Sequence, residues 1–88
     1  MTTTTTVEVT VRFFAAARAA AGNEVETIRI QPGTTIAELV DQLSDRDAEL
    51  AKVLMRCSFL CDGVAVRDAN VALDNAQTID VLPPFAGG

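Results

Sequence analysis

An α+β domain, in which one mixed sheet carries a main helix laid across it, is the fold class that this 88-residue sequence predicts. Three observations carry the prediction. Val7, Val9, Val11 and Phe13 alternate with Glu8, Thr10 and Arg12, which is the period of a half-buried strand. Ile36, Leu39, Val40 and Leu43 recur at i, i+3, i+4 and i+7, the stripe of a helix packed on a sheet. Thr78 to Leu82 is rich in β-branched residues and sets Ile79 and Val81 on one face of a last strand.

The elements follow in order. Thr2 to Thr6 form a low-complexity polar run, read as a tail over residues 1–5 that joins the first strand near Thr6. Ala15 to Ala21 has high helix propensity in too short a run to stand alone, and Gly22-Asn23 offers a left-handed stop. One or two helical turns are therefore expected to bridge a hairpin whose second strand runs from Glu24 to Ile30. Gln31-Pro32-Gly33 reads as a turn. Thr35 and Glu38 have capping-box spacing, so the main helix starts there, with Glu38, Asp41, Gln42 and Asp45 expected on its solvated face. Asp47 is placed to cap a shorter helix carrying Leu50, Val53 and Leu54 inward. Ser58 to Cys61 and Val64 to Val66 read as short strands joined at Asp62-Gly63, where both positions tolerate positive φ. Asp68-Ala69-Asn70 and Asp74-Asn75 are turn-rich, and Val71 and Leu73 between them are expected to tuck inward. The order is of ββαββ type, giving a domain over residues 6–82.

Composition removes several functions. With no histidine, the commonest general acid-base group and metal ligand are both absent, which argues against an autonomous hydrolase or a zinc enzyme. A net charge of −5 and no basic cluster argue against a nucleic-acid partner and favour a basic protein partner. No run approaches the length of a membrane span and no signal peptide precedes the first strand, so no membrane association and a cytoplasmic location are expected. Cys57 and Cys61 are two thiols short of a four-ligand zinc site or an iron–sulfur cluster, and a strand at Cys61 would hold them too far apart for a disulfide; inert buried thiols are the expectation.

What remains is the end of the sequence. Two terminal glycines by chance belong to roughly 0.5% of chains. A backbone without Cβ atoms passes through a narrow channel and presents a free carboxylate to a partner's site. Pro83-Pro84 ends the strand ladder and points the chain outward as a stiff stalk. Residues 83–88 are thus read as an extended tail that reaches about 20 Å at roughly 3.3 Å per residue. Leu82, Pro83, Pro84 and Phe85 offer apolar area to a partner, with Phe85 as the anchor, while Ala86 and Gly87 thread the channel to Gly88. The tail carries no charge but its carboxylate, so a partner must supply the cations that activation requires.

The opening Val11-Arg12-Phe13-Phe14-Ala15-Ala16-Ala17-Arg18 through Gly22, the helix after Pro32-Gly33, and above all the ending Val81-Leu82-Pro83-Pro84-Phe85-Ala86-Gly87-Gly88 resemble the MoaD/ThiS family of ubiquitin-like proteins, and within it MoaD, the small sulfur-carrier subunit of molybdopterin synthase. The resemblance covers the chain from about Val7 to Gly88. It implies a β-grasp in which the first and last strands pair in parallel at the sheet centre. It implies that Gly88 is adenylated by a MoeB-like activating enzyme that uses ATP, no cofactor being bound by the carrier itself. The resulting thiocarboxylate then enters the pocket of a MoaE-like large subunit, in a heterotetramer, and the carrier adds no catalytic residue beyond its terminal carboxylate. Arg18 falls at the family's helical arginine, where a salt bridge or a partner contact is expected. Many members carry an Asn at the turn where this chain has Cys61-Asp62-Gly63; Asp-Gly preserves the turn chemistry, which leaves open only a contact the Asn amide would make.

Within the same class, similar tails occur on the thiazole-forming carrier ThiS and the cysteine-forming carrier CysO. A ubiquitin-like modifier conjugated to lysines is the rival from another class; Lys52 is the chain's one lysine, which limits chain building but not single conjugation. A β-grasp interaction module without terminal chemistry is the third reading.

Overall fold

A computed structural model of the chain describes residues 6–84. In chain order the elements are β1 (Val7–Phe13), α1 (Ala15–Ala21), β2 (Val25–Ile30), α2 (Ile36–Ser44), α3 (Ala48–Leu54), β3 (Ser58–Cys61), β4 (Val64–Ala65) and β5 (Thr78–Leu82). The five strands form one sheet in the order β2-β1-β5-β3-β4. β1 and β5 pair in parallel with Val11 opposite Ile79 and Phe13 opposite Val81, so the first and last strands lie at the centre as the β-grasp requires. The other three pairings are antiparallel.

Alternation along β1 does what its period dictates: Val7, Val9, Val11 and Phe13 are buried, and Glu8 and Arg12 are exposed. Ile36, Leu39 and Leu43 of α2 and Leu50 and Leu54 of α3 cover that inner face, with Ile79 and Val81 of β5 and Leu73 of the preceding loop completing one core. Side-chain caps start α2 and α3. The Thr35 side chain accepts from the Glu38 amide at 3.2 Å, and the Glu38 carboxylate accepts from the Thr35 amide at 3.0 Å, a complete capping box. Asp47 accepts from the Glu49 amide at 3.3 Å to open α3. Gly22 stops α1 at φ 79°, and Asp62 and Gly63 turn β3 into β4 at φ 50° and 83°.

Two expectations are corrected. The fourth strand stops at Ala65, leaving Val66 beyond it. Val71 does not tuck inward; it is 53% exposed while Leu73 is buried. The reason is a bend at Val71, where its carbonyl accepts from the Ile36 amide at 3.2 Å and serves the start of α2, so the i, i+2 parity of an extended chain does not hold there. The tail read over residues 1–5 and the last four residues, 85–88, of the tail read over 83–88 lie outside the described residues.

Candidate functional site: the root of the C-terminal tail

β5 is the strand from which the tail departs, and its last residues are held on both sides. Leu82 stands opposite Ser58 on β3, and the Phe14 amide donates to the Val81 carbonyl at 3.3 Å on the β1 side. Leu82 is half-buried, Pro83 is buried against the body, and Pro84 is exposed. Of the apolar residues read as partner-facing, Pro83 is thus used by its own domain, while Leu82 and Pro84 keep area to offer. Phe85, Ala86, Gly87 and Gly88 lie outside the described residues.

The side of the sheet away from the helices carries a feature that the sequence reading did not single out. Asp80, 7% exposed, is the one buried charged residue among the described residues. It sits directly opposite Arg12 in the parallel β1–β5 register. Arg12 donates from Nε to Oδ1 at 2.6 Å and from Nη2 to Oδ2 at 2.9 Å, a bidentate pair that takes up both carboxylate oxygens. The hydrogen bond to Asp80 and then its charge hold the Arg12 pKa above its ordinary value. The guanidinium lies 5.4 Å from the centroid of the Phe14 ring, which is itself 38% exposed beside the tail root. The signal that could have revealed the pair was present: opposite charges, each on the polar side of a strand, at matched positions of two strands expected to lie in parallel.

Arg18 projects from α1 into solvent beside a shallow depression that it lines with Ala15, Ala19, Gly22, Asn23 and Glu24. No ion pair to Arg18 forms among the described residues, so the expected salt bridge is not found there. At the Asp62-Gly63 turn the Asp62 Oδ1 accepts from the Thr78 amide at 2.8 Å, and this bond ties the turn to the first residue of β5. Cys57 and Cys61 are half-buried rather than buried, because both sit at the margin of the helix-covered layer. The Cys57 thiol donates to the Val53 carbonyl at 3.1 Å. Burial raises the pKa of both thiols, and the charges of Asp62 and Asp74 add to the rise at Cys61. No described helix is long and apolar enough to cross a membrane.

Comparison with known proteins agrees with this geometry. The model of the ThiS family matches residues 11–88. Among solved structures, the Haloferax volcanii protein HVO 2177 is similar with a TM-score of 0.82 and 29% identity, over 94% of this chain and 88% of that one. Subunit 1 in a complex with subunit 2 of molybdopterin-converting factor from Helicobacter pylori is similar with a TM-score of 0.70 and 26% identity, over 93% of this chain and 100% of that chain. Small archaeal modifier protein 1 from Methanosarcina acetivorans shares the fold, with a TM-score of 0.77 at 23% identity, over 96% of this chain and 99% of that one. No curated protein matches the chain.

Proposed function

The chain belongs to the ThiS family, a MoaD/ThiS ubiquitin-like β-grasp, and from that premise we propose that it is the sulfur carrier of molybdopterin synthesis. The observation that carries the proposal is the reach of the family match, which runs through Pro83-Pro84 to Gly88 from the central strand β5 of the sheet. In this reading the Gly88 carboxylate attacks the α-phosphate of ATP in a MoeB-like activating enzyme and pyrophosphate leaves. A sulfide-level nucleophile then displaces AMP, leaving a C-terminal thiocarboxylate. The loaded tail enters a MoaE-like large subunit, a partner class supported by the subunit complex from Helicobacter pylori, and gives its sulfur to the pterin precursor. Small and large subunits form a heterotetramer in the cytoplasm. Leu82, Pro84 and Phe85 bind the partner by apolar burial, and Gly87 and Gly88 fit the channel because they carry no side chain.

The test is intact mass before and after incubation with ATP, a MoeB-like enzyme and a sulfur source. A gain equal to exchanging one oxygen for one sulfur, located at Gly88 and lost when Gly88 is deleted, is the expected result. No gain, with an activator shown to work on another carrier, overturns it. The shared fold with small archaeal modifier protein 1 favours the modifier as the second reading. High-mass adducts on a denaturing gel that disappear with Gly88 would support it over the carrier role. Transfer from the loaded protein to a thiazole or cysteine precursor, in place of the pterin, would keep the carrier and change the acceptor.

A further inference from the structure

We infer that Arg12 and Asp80 are positioning residues for the terminal carboxylate, their ion pair setting the register of β5 against β1 and so the point on the sheet from which the tail departs. The inference rests on the carrier reading above.

The argument begins with what the hydrophobic pattern leaves undecided. A slip of β5 by one residue would drive Thr78 and Asp80 into the core and Ile79 and Val81 out of it, which burial forbids. A slip by two residues keeps every apolar side chain on the inner face, because Val9, Val11 and Phe13 all offer apolar side chains to Ile79 and Val81, so polarity alone does not choose between the two registers. Such a slip moves the tail root by about 7 Å at roughly 3.3 Å per residue. A reacting group that must be placed within about 0.5 Å cannot tolerate that. The outer face breaks the degeneracy. In the observed register Asp80 meets Arg12; two residues away it would face Thr10 or Phe14, stranding a carboxylate that is 7% exposed.

The cross-strand row around the pair adds weight. Val25, Arg12, Asp80, Leu60 and Ala65 stand side by side across all five strands, so the two charges sit in an otherwise apolar row. An ion pair there is a poor way to gain stability, since well-packed apolar residues do as well or better. It is an effective way to specify one alignment. Asp62, bound to the Thr78 amide, fixes the start of β5 against β3; Arg12 and Asp80 fix its far half against β1, three residues before Pro83.

The experiment separates positioning from stability. Arg12→Leu combined with Asp80→Leu removes the charges together and keeps an apolar row, so the melting temperature should equal or exceed that of the parent. Sulfur loading by a MoeB-like enzyme should nonetheless fall at least about tenfold in kcat with KM little changed, since a 1 Å misplacement costs up to about 10²-fold. Loading at the parent kcat in a stable double variant overturns the inference, as does a rise in KM alone, which would make Arg12 a partner contact. Should the double variant not fold, Asp80→Asn keeps the shape and is read by the same two outcomes. Amide exchange keeps the test independent of loading. In Asp80→Asn the Phe14 amide, bonded across to Val81, should exchange about tenfold faster while the Val9 amide stays protected; equal protection at Phe14 refutes the inference. A parent protein that never loads defeats the carrier reading and leaves the exchange result standing.

Discussion

The two faces of the central strand pair do different work. Toward the helices, β1 and β5 present Val9, Val11, Phe13, Ile79 and Val81, all apolar side chains whose burial drives folding through non-directional contacts. Away from the helices, the same strands present Thr10 beside Thr78 and Arg12 beside Asp80. The Arg12–Asp80 contact contributes little area, yet each of its charges has one correct partner. The covered face makes the domain stable; on the inference drawn above, the open face makes its alignment unique.

The sharpest way to break this contrast is on the covered side. Leu39, 1% exposed at the centre of the α2 stripe, has no polar partner and serves only to fill space. Leu39→Ala should cost about 2 to 5 kcal/mol, a large share of the roughly 5 to 15 kcal/mol typical of a domain. Urea unfolding followed by circular dichroism measures it, and a loss below about 1 kcal/mol would mean that the core repacks freely.

Next in size is an asymmetry on the open side. Arg12→Leu alone strands the buried Asp80 carboxylate, whereas Asp80→Leu alone frees a guanidinium whose side chain is already 48% exposed and is readily hydrated. The urea midpoint should therefore drop more for Arg12→Leu than for Asp80→Leu. The reverse order would show that the pair is held by the arginine's packing on Phe14 rather than by the aspartate's need for a counter-ion.

The same contrast explains what was legible in the sequence. Features that depend on near neighbours could mostly be read: the Thr35–Glu38 box, the Asp47 cap, the left-handed stop at Gly22, the Asp62-Gly63 turn and the inward stripes of α2 and α3. Each rests on residues within a few positions of one another, where periodicity and turn chemistry act. The Arg12–Asp80 bond spans 68 positions, and it becomes visible only once a parallel register is known. Val71 was misread for a related reason, since the hydrogen bond from the Ile36 amide that fixes its bend comes from 35 residues upstream, across the Thr35–Ala72 bridge. The end of β5 at Leu82 could be read because prolines act locally, and Pro83 follows at once; Phe85 to Gly88 lie outside the described residues.

A smaller effect isolates one local contribution on the covered side. Thr35→Ala removes the side-chain half of the capping box while leaving the buried stripe of α2 intact, and should cost about 1 kcal/mol. A thermal melt shows this as a modest fall in midpoint at constant loading kcat, because the cap lies away from β5's register. A change in loading would mean that α2 communicates with the tail, and the division between the two faces would then be too simple.

The smallest expected effect concerns the thiols at the margin between the two faces. Cys57 and Cys61 are held above their ordinary pKa, in both cases first by burial. At neutral pH they should be alkylated several-fold more slowly than a free cysteine, since the thiolate is the reacting species. The linkage runs in one direction: with the folded pKa raised, the unfolded chain ionises first as pH rises, so stability held at neutral pH declines slightly through the alkaline range in which thiols titrate. The rate of Cys61 labelling should rise with pH later than that of a small-molecule thiol measured alongside. Coincident profiles would place Cys61 in free water and remove it from the covered face, while Cys57, bonded to the Val53 carbonyl, should still lag.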